Sequence, residues 1–167
     1  MASWFSFPNP VNETSARVVA TGVVAMATTA VAADQPWLMV PLAYGFAARV
    51  ATGPKLSPLG QLATRVIEPR LPGRRRFSPG PPKRFAQAMG LAFSTTALVL
   101  HYRYGQSRAA KAVLSGLIGA ASLEAAFGLC LGCQMFALGM RAGIVPERVC
   151  EECNDIWSRS ARSGVDV

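Results

Sequence analysis

The residues of this chain best suited to chemistry are its four cysteines, which form two Cys-x-x-Cys pairs. Cys130 pairs with Cys133, and Cys150 pairs with Cys153. On a helix, residues three apart lie on one face, with Cβ atoms about 5–6 Å apart. A pair at this spacing can form a disulfide, bind one metal ion or pass a sulfur atom between thiols. Each use requires a thiolate, so the local electrostatics decide how reactive a pair is.

Two interpretations are open for the first pair, which lies late in a long apolar stretch. If that stretch is one continuous helix, Gly128 and Gly132 form a helix-packing face and the cysteines are buried as small apolar side chains. If the helix breaks at these glycines and restarts, Cys130 lies at a helix N-terminus, where a thiolate is favoured. Both interpretations fit the sequence.

The second pair lies in a polar segment, with Glu151 and Glu152 between its thiols. Like-charge repulsion raises the pKa values of these thiols, so we expect a poor nucleophile that can still resolve a disulfide. The two pairs together match a generic zinc pattern. Because the first pair is embedded in an apolar stretch, we expect no cofactor, and a zinc or iron–sulfur site on the four cysteines is the alternative.

The composition indicates a membrane protein. Apolar residues make up 51% of the 167 residues, charged residues only 16%, and the mean hydropathy is +0.28. Soluble domains carry about 25% charged residues, so these values exclude a disordered chain and argue against a water-soluble enzyme. The net charge is +8, but the basic residues lie between apolar blocks, as in cytoplasmic loops of membrane proteins. We therefore expect the lipid bilayer, and no nucleic acid, as a partner.

Four apolar blocks predict an all-α membrane protein with four transmembrane helices in two hairpins. The blocks are residues 18–33, 37–52, 85–102 and 112–140, and a spanning helix needs about 20 apolar residues. The first block has an alternative as a signal peptide, because Ala30-Val31-Ala32 resembles a cleavage site. A retained helix is favoured because Arg17 is the first basic residue of the chain and a second apolar block follows at once.

These blocks predict five segments and their orientation. The segments are an N-terminal stretch 1–17, a first hairpin 18–53, a basic loop 54–84, a second hairpin 85–141 and a tail 142–167. The loop holds eight Lys and Arg residues and one Glu, so the positive-inside rule places it and both termini in the cytoplasm. Cytoplasmic thiols are kept reduced, which favours a reversible disulfide over a structural one.

The basic loop is expected to contain an interfacial helix on the inner leaflet, starting at Ser57 and ending at Pro69. Its narrow apolar face consists of Leu59, Leu62, Ala63, Val66 and Ile67. Three arginines follow, and they either contact lipid headgroups or a partner, or supply ordinary positive-inside charge. They are Arg74, Arg75 and Arg76.

Two ionisable residues lie inside apolar blocks. A carboxylate such as Glu124 near mid-span costs about 2.5–3.5 kcal/mol on insertion scales. We therefore expect Glu124 to face the other helices, either in an interhelical hydrogen bond or as a candidate proton group. Arg49 is a possible partner, although its long side chain is expected to reach toward the headgroups.

Linked motifs in the second half of the chain resemble a known family. Block four contains Phe127-Gly128-Leu129-Cys130-Leu131-Gly132-Cys133; upstream stand Pro69-Arg70-Leu71 and Pro82-Lys83-Arg84-Phe85-Ala86-Gln87. Together they resemble the bacterial membrane family called domain of unknown function 4395, over about residues 15 to 141. Members often look associated with thioredoxin-like proteins or rhodanese-type sulfurtransferases. The resemblance implies thiol redox or sulfur-transfer work at Cys130 and Cys133 in the bacterial cytoplasmic membrane.

The leading hypothesis is a membrane thiol protein. Cys130 and Cys133 exchange a disulfide or hold a persulfide with a cytoplasmic thioredoxin-like or sulfurtransferase partner, and Cys150 and Cys153 act as a resolving pair. The first alternative is a non-catalytic accessory subunit that assembles with other membrane subunits or with itself. The second is a small-solute transporter, which would require oligomers.

Overall fold

A computed structural model of the chain describes residues 11–70 and 77–146. Within these ranges the fold is all-α, as predicted. The helices are α1 (Glu13–Ala32), α2 (Met39–Thr52), α3 (Pro58–Gln61), α4 (Gly80–Tyr102), α5 (Ser107–Phe127) and α6 (Leu131–Arg141). Two short strands, β1 (Val11–Asn12) and β2 (Phe77–Ser78), pair antiparallel and join the start of α1 to the start of α4.

The four long helices pack side by side as antiparallel neighbours. Residues near the end of α2 contact the start of α4, where Arg84 donates to the carbonyl of Val50. The start of α1 meets the end of α5, where Arg17 donates to the carbonyls of Ala125 and Ala126. The start of α1, the end of α2, the start of α4 and the end of α5 therefore share one end of the fold.

Small and branched apolar side chains form the core between these helices. The start of α4 is held close to α2, since a Cβ added at Gly90 would lie 2.1 Å from the Phe46 ring. The buried core residues are Val19, Val23, Ala27, Ala30, Met39, Leu42, Phe46, Ala63, Ala97, Ala110, Leu114, Leu117 and Ala121. Alanine dominates because helices that approach this closely leave no room for larger side chains.

Two helices are long and apolar enough to span a membrane, α1 and α5. Only 33% and 22% of their apolar windows are buried inside the protein, so most of their apolar surface faces outward, which favours a membrane location. Helix α2 has 14 residues, and at about 1.5 Å per residue it is shorter than the roughly 30 Å hydrocarbon core. The prediction of four spanning helices is therefore not confirmed.

The amphipathic segment of the basic loop is helical where predicted, but it packs on protein. It begins after Ser57, whose side chain accepts from the Gly60 N–H, and continues through a π-helical stretch to Arg70. Leu59 lies against Gly22 of α1, and Ala63 is fully buried. Leu62 and Val66 remain exposed, so two of the five residues of the predicted apolar face are free to meet a membrane surface.

Block four is two helices, and this corrects the continuous-helix interpretation. Helix α5 ends at Phe127, and Gly128 follows in the left-handed conformation with φ +70°. That conformation favours glycine and ends helices. Because Gly128 and Gly132 consequently lie on different elements, the expected packing face of two glycines on one helix is not formed.

Candidate functional site

The first cysteine pair lies at the N-terminus of α6. Cys130 is the N-cap residue, and its sulfur accepts from the Cys133 backbone N–H at 3.4 Å. The Cys133 thiol donates to the Cys130 sulfur across 2.7 Å. This places the sulfurs within a small movement of the roughly 2.05 Å disulfide bond length. The break after α5 thus creates the helix N-terminus that favours a thiolate on Cys130.

A buried ion pair lies beside the thiols. Lys83, in the first turn of α4, has its Nζ 2.6 Å from Oε1 of Glu124 near the end of α5. Their side chains are only 7% and 16% exposed. The expected interhelical hydrogen bond of Glu124 is therefore present. Its partner is Lys83 and not Arg49, because Lys83 on the first turn of α4 faces the last turns of α5.

Charge and hydrogen bonding shift the pKa values of the two thiols in opposite directions. Both thiols lie beyond the end of α5. The hydrogen bond from Cys133 lowers the pKa of Cys130 and outweighs burial and the Glu124 charge, which raise it; the Lys83 ammonium also lowers it. The same hydrogen bond, together with burial, raises the pKa of Cys133. Cys130 is thus the thiol of the pair that ionises more readily, and Cys133 is the one that holds its proton.

Close packing of α6 on α4 holds the pair in place. A Cβ added at Gly132 would lie 2.6 Å from both Cα and Cβ of Ala86. On the same two helices, the rings of Phe85 and Phe136 pack with centroids 5.7 Å apart. The two motifs quoted above, around Lys83 to Gln87 and around Cys130 to Cys133, are therefore one contact surface.

Arg49 is buried and not directed to the headgroups, in contrast to the prediction. It is 4% exposed. Its Nε donates to Gln87 at 2.7 Å and its Nη1 donates to Ser57 at 3.0 Å. Its guanidinium lies 4.5 Å from the centre of the Phe46 ring. The arginine is held inside because α3 and α4 cover the end of α2 and supply these acceptors.

Two cavities adjoin these residues and share Ala16, Val19 and Gln87 in their walls. The first, of about 270 Å³, is mostly apolar and is lined by Cys130 and Glu124 among others. The second, of about 260 Å³, is lined by Arg49, Lys83 and other polar side chains. Cys130 thus opens on an apolar space, and the buried arginine lines a separate cavity that several polar side chains share.

Some of the predicted site residues lie outside the described residues. Cys150, Cys153 and the arginines 74–76 belong to this group. Within residues 11–70 and 77–146, no group of three or more His, Cys, Asp or Glu side chains is arranged to hold a metal ion.

Lys83 is a neighbour of the thiols that the sequence analysis did not predict. In the sequence it is one of eight positive charges in a basic loop, whereas the structure places it in the first turn of α4. The signal was the run from Pro82 to Gln87, which recurs with the cysteine motif in the family that the sequence resembles.

Comparison with known proteins identifies the family. The family model described as domain of unknown function (DUF4395) matches residues 11–141. This range contains all the described site residues. No curated protein and no solved structure matches the chain.

Proposed function

The chain belongs to the DUF4395 family, and from the geometry of its first cysteine pair we propose that it is a membrane thiol protein that exchanges disulfides, or sulfur, with a protein partner. The observation that carries the proposal is the asymmetry of the pair. Cys130 caps α6 and accepts two hydrogen bonds from Cys133, whereas Cys133 keeps its proton. This asymmetry favours Cys130 as the nucleophile and Cys133 as the resolving thiol.

The exchange begins with attack by the Cys130 thiolate on a disulfide of a thioredoxin-like partner. The partner S–S bond breaks, one partner sulfur leaves as a thiolate, and a mixed disulfide forms. Cys133 then loses its proton and attacks the Cys130 sulfur, which releases the second partner thiolate. The two cysteines are oxidised to a disulfide by loss of two electrons, and the partner disulfide is reduced by gaining them. The Cys133 proton passes to a partner thiolate.

Sulfur transfer uses Cys130 alone as the carrier. The Cys130 thiolate takes the outer sulfur of a persulfide carried by a rhodanese-type partner, and the partner cysteine leaves as its thiolate. An acceptor thiolate then attacks the outer sulfur on Cys130 and releases the Cys130 thiolate. No net oxidation occurs. The Lys83 ammonium stabilises the anionic sulfur at both stages by its charge.

Exposed apolar side chains around the pair support docking of a partner. Phe127, Leu129 and Leu131 flank Cys130 and are 73%, 47% and 39% exposed. Cys130 itself is only 8% exposed, so a partner must displace part of this apolar rim to reach the sulfur. This limits attack by small thiols in solution and favours a protein that covers the rim.

We further propose four spans with the site at the cytoplasmic end of the fold. The basic loop emerges from the end at which α2 ends and α4 starts, which is also the end that carries Cys130. Positive charge of this density is retained in the cytoplasm. In this arrangement α2 is accommodated by local thinning of the bilayer, and the tail pair Cys150–Cys153 reaches the same side as a resolving pair.

The first test measures thiol state and sidedness in native membranes. The variant Cys150→Ser/Cys153→Ser leaves only the first pair, and a membrane-impermeant maleimide reports it as a gel shift before and after reductant. Labelling only after reduction of air-exposed membranes is the expected result. Thiols that never label until the protein is unfolded, with or without reductant, would contradict the proposal and favour an accessory subunit.

Trapping of the partner distinguishes the two thiols. Cys133→Ser removes the resolving thiol, so the mixed disulfide on Cys130 persists and appears as a reductant-sensitive adduct on gels. Cys130→Ser is the matched control and should trap no adduct. Equal trapping by both variants would overturn the assignment of roles, and no adduct from either, with the partner present, would count against exchange.

A further inference from the structure

A buried cation that forms no ion pair with the described residues lies at the second cavity. Arg49 is 4% exposed and uses Nε and Nη1 to donate to Gln87 and Ser57, which are both neutral. Its Nη2 has no hydrogen-bond partner among the described residues, and no carboxylate of the described residues lies within 4.0 Å of the guanidinium. A buried charge is costly unless it is paired, so the free donor marks a place for an anion.

The other charged groups of the cavity wall are already engaged. Lys83 lines the cavity, but its charge is balanced by Glu124 at 2.6 Å. Glu68 lines the wall too, and its two oxygens accept from Asn12 at 2.6 Å and from Ser15. Asn12 and Ser15 are neutral, so within the described residues no ion pair balances the positive charge of Arg49 or the negative charge of Glu68, and the Glu68 carboxylate can accept one more hydrogen bond.

We propose that this cavity binds a small oxyanion that retains a proton. The cavity lies between α1, the end of α2, the helical segment of the basic loop and the start of α4. The anion accepts from the free Nη2 of Arg49 and donates its proton to Glu68. Inorganic phosphate, which is partly protonated near neutral pH, meets both requirements. Sulfate has similar size and geometry but carries no proton, so Glu68 repels it.

The cavity is large enough for this ligand, and several polar side chains line it. Its volume of about 260 Å³ accommodates one phosphate with several waters, since each water needs only about 10–15 Å³ on this measure. Thr64 and Gln87 add polar groups to the wall. No cysteine lines the cavity, so the inference is independent of the proposed thiol function.

The experiment measures binding of inorganic phosphate to the full-length protein in a neutral detergent. Radiolabelled phosphate and sulfate are compared by equilibrium dialysis at matched ionic strength. We expect saturable phosphate binding and an affinity for sulfate at least tenfold weaker. Short-chain phosphatidylglycerol, a phosphodiester without a proton, tests a lipid headgroup as the source and should bind no better than sulfate. Equal binding of phosphate and sulfate would overturn the proposal.

Variants of the wall locate the site. Arg49→Gln should weaken phosphate binding by about ten- to a hundredfold, the range for loss of a charged hydrogen bond, whereas Arg108→Gln, an exposed arginine at the start of α5, should leave it unchanged. Glu68→Gln should abolish the preference for phosphate over sulfate. Unchanged phosphate binding in Arg49→Gln would refute the site.

Two further variants keep the test valid if Arg49→Gln does not fold. Thr64→Leu narrows the cavity while leaving the hydrogen bonds of Arg49 intact, and it should lower phosphate affinity at least tenfold. Cys130→Ser/Cys133→Ser should bind phosphate as the unmodified chain does, which separates this inference from the thiol function. Full phosphate binding in Thr64→Leu, or its loss in the double Ser variant, would show that the anion binds elsewhere.

Discussion

Lys83 at the start of α4 and Glu124 near the end of α5 form a buried ion pair, with Nζ 2.6 Å from Oε1, directly beside the Cys130–Cys133 pair. The lysine acts on two anions at once. It neutralises the Glu124 carboxylate, and it lowers the pKa of Cys130. Glu124 raises the pKa of Cys130, so the lysine offsets part of the effect of the carboxylate on the thiol.

Replacing Lys83 should make Cys130 less reactive at neutral pH. In Lys83→Met the pKa of Cys130 rises, because a stabilising cation is lost and the Glu124 charge is left unbalanced. The alkylation rate of Cys130 at pH 7, measured with iodoacetamide in the Cys150→Ser/Cys153→Ser background, should fall about tenfold, and its pH profile should move to higher pH. Lys111→Met, at the other end of α5, is the control.

A second variant separates charge from folding in this experiment. Lys83→Met/Glu124→Gln removes both charges and leaves no unpaired buried carboxylate. Glu124 raises the pKa of Cys130 by more than Lys83 lowers it, so the alkylation profile of this variant should move to lower pH than that of the unmodified chain, opposite to the shift in Lys83→Met. A profile identical to the unmodified chain in both variants would show that the ion pair does not act on Cys130.

The hydrogen bond that Cys133 donates should also affect the pKa of Cys130. The hydrogen bond from the Cys133 thiol lowers the pKa of Cys130, so Cys133→Ala, which has no side-chain donor, should raise it. Cys133→Ser keeps a donor at the same position and should retain most of the effect. Alkylation of Cys130 across pH 5–10 measures the difference, and equal profiles for the two variants would contradict this role of Cys133.

The close contact of α6 with α4 predicts that replacing Gly132 lowers the free energy of unfolding. A methyl group there would lie 2.6 Å from Ala86, so Gly132→Ala should lower the free energy of unfolding by about 1–3 kcal/mol, the usual cost of overpacking. Gly119→Ala is the matched control. No atom lies within 4 Å of a Cβ at Gly119, so alanine should stabilise α5 by about 0.5–1 kcal/mol. Denaturant unfolding in detergent measures both, and equal stability of the two variants would refute the close contact.

The sequence predicted the helical class, the family and the amphipathic helix, because these depend on local periodicity and on linked motifs. It left open whether block four breaks, because glycine fits both a packing face and a helix end. The positive φ of Gly128 decides this, and it depends on where the chain must turn to dock α6. The partners of Glu124 and Arg49 could not be predicted from the sequence, because they depend on which helix ends meet. Antiparallel packing brings Lys83 to Glu124 and Gln87 to Arg49.

The hydrogen bonds of Arg17 indicate how the break after α5 is maintained. It donates to the carbonyls of Ala125 and Ala126 at 3.1 and 2.8 Å, which lie in the last turn of α5 and have no partner within the helix. Arg17→Gln should therefore loosen this turn and the loop that carries Cys130. Hydrogen exchange of the Gly128 and Leu129 amides, which bond to Glu124 and Leu123, should become several-fold faster, while Arg108→Gln leaves it unchanged. If exchange there is equal in both variants, the helix end does not depend on Arg17, and the N-terminal position of Cys130 is fixed by Gly128 and the α4–α6 contact alone.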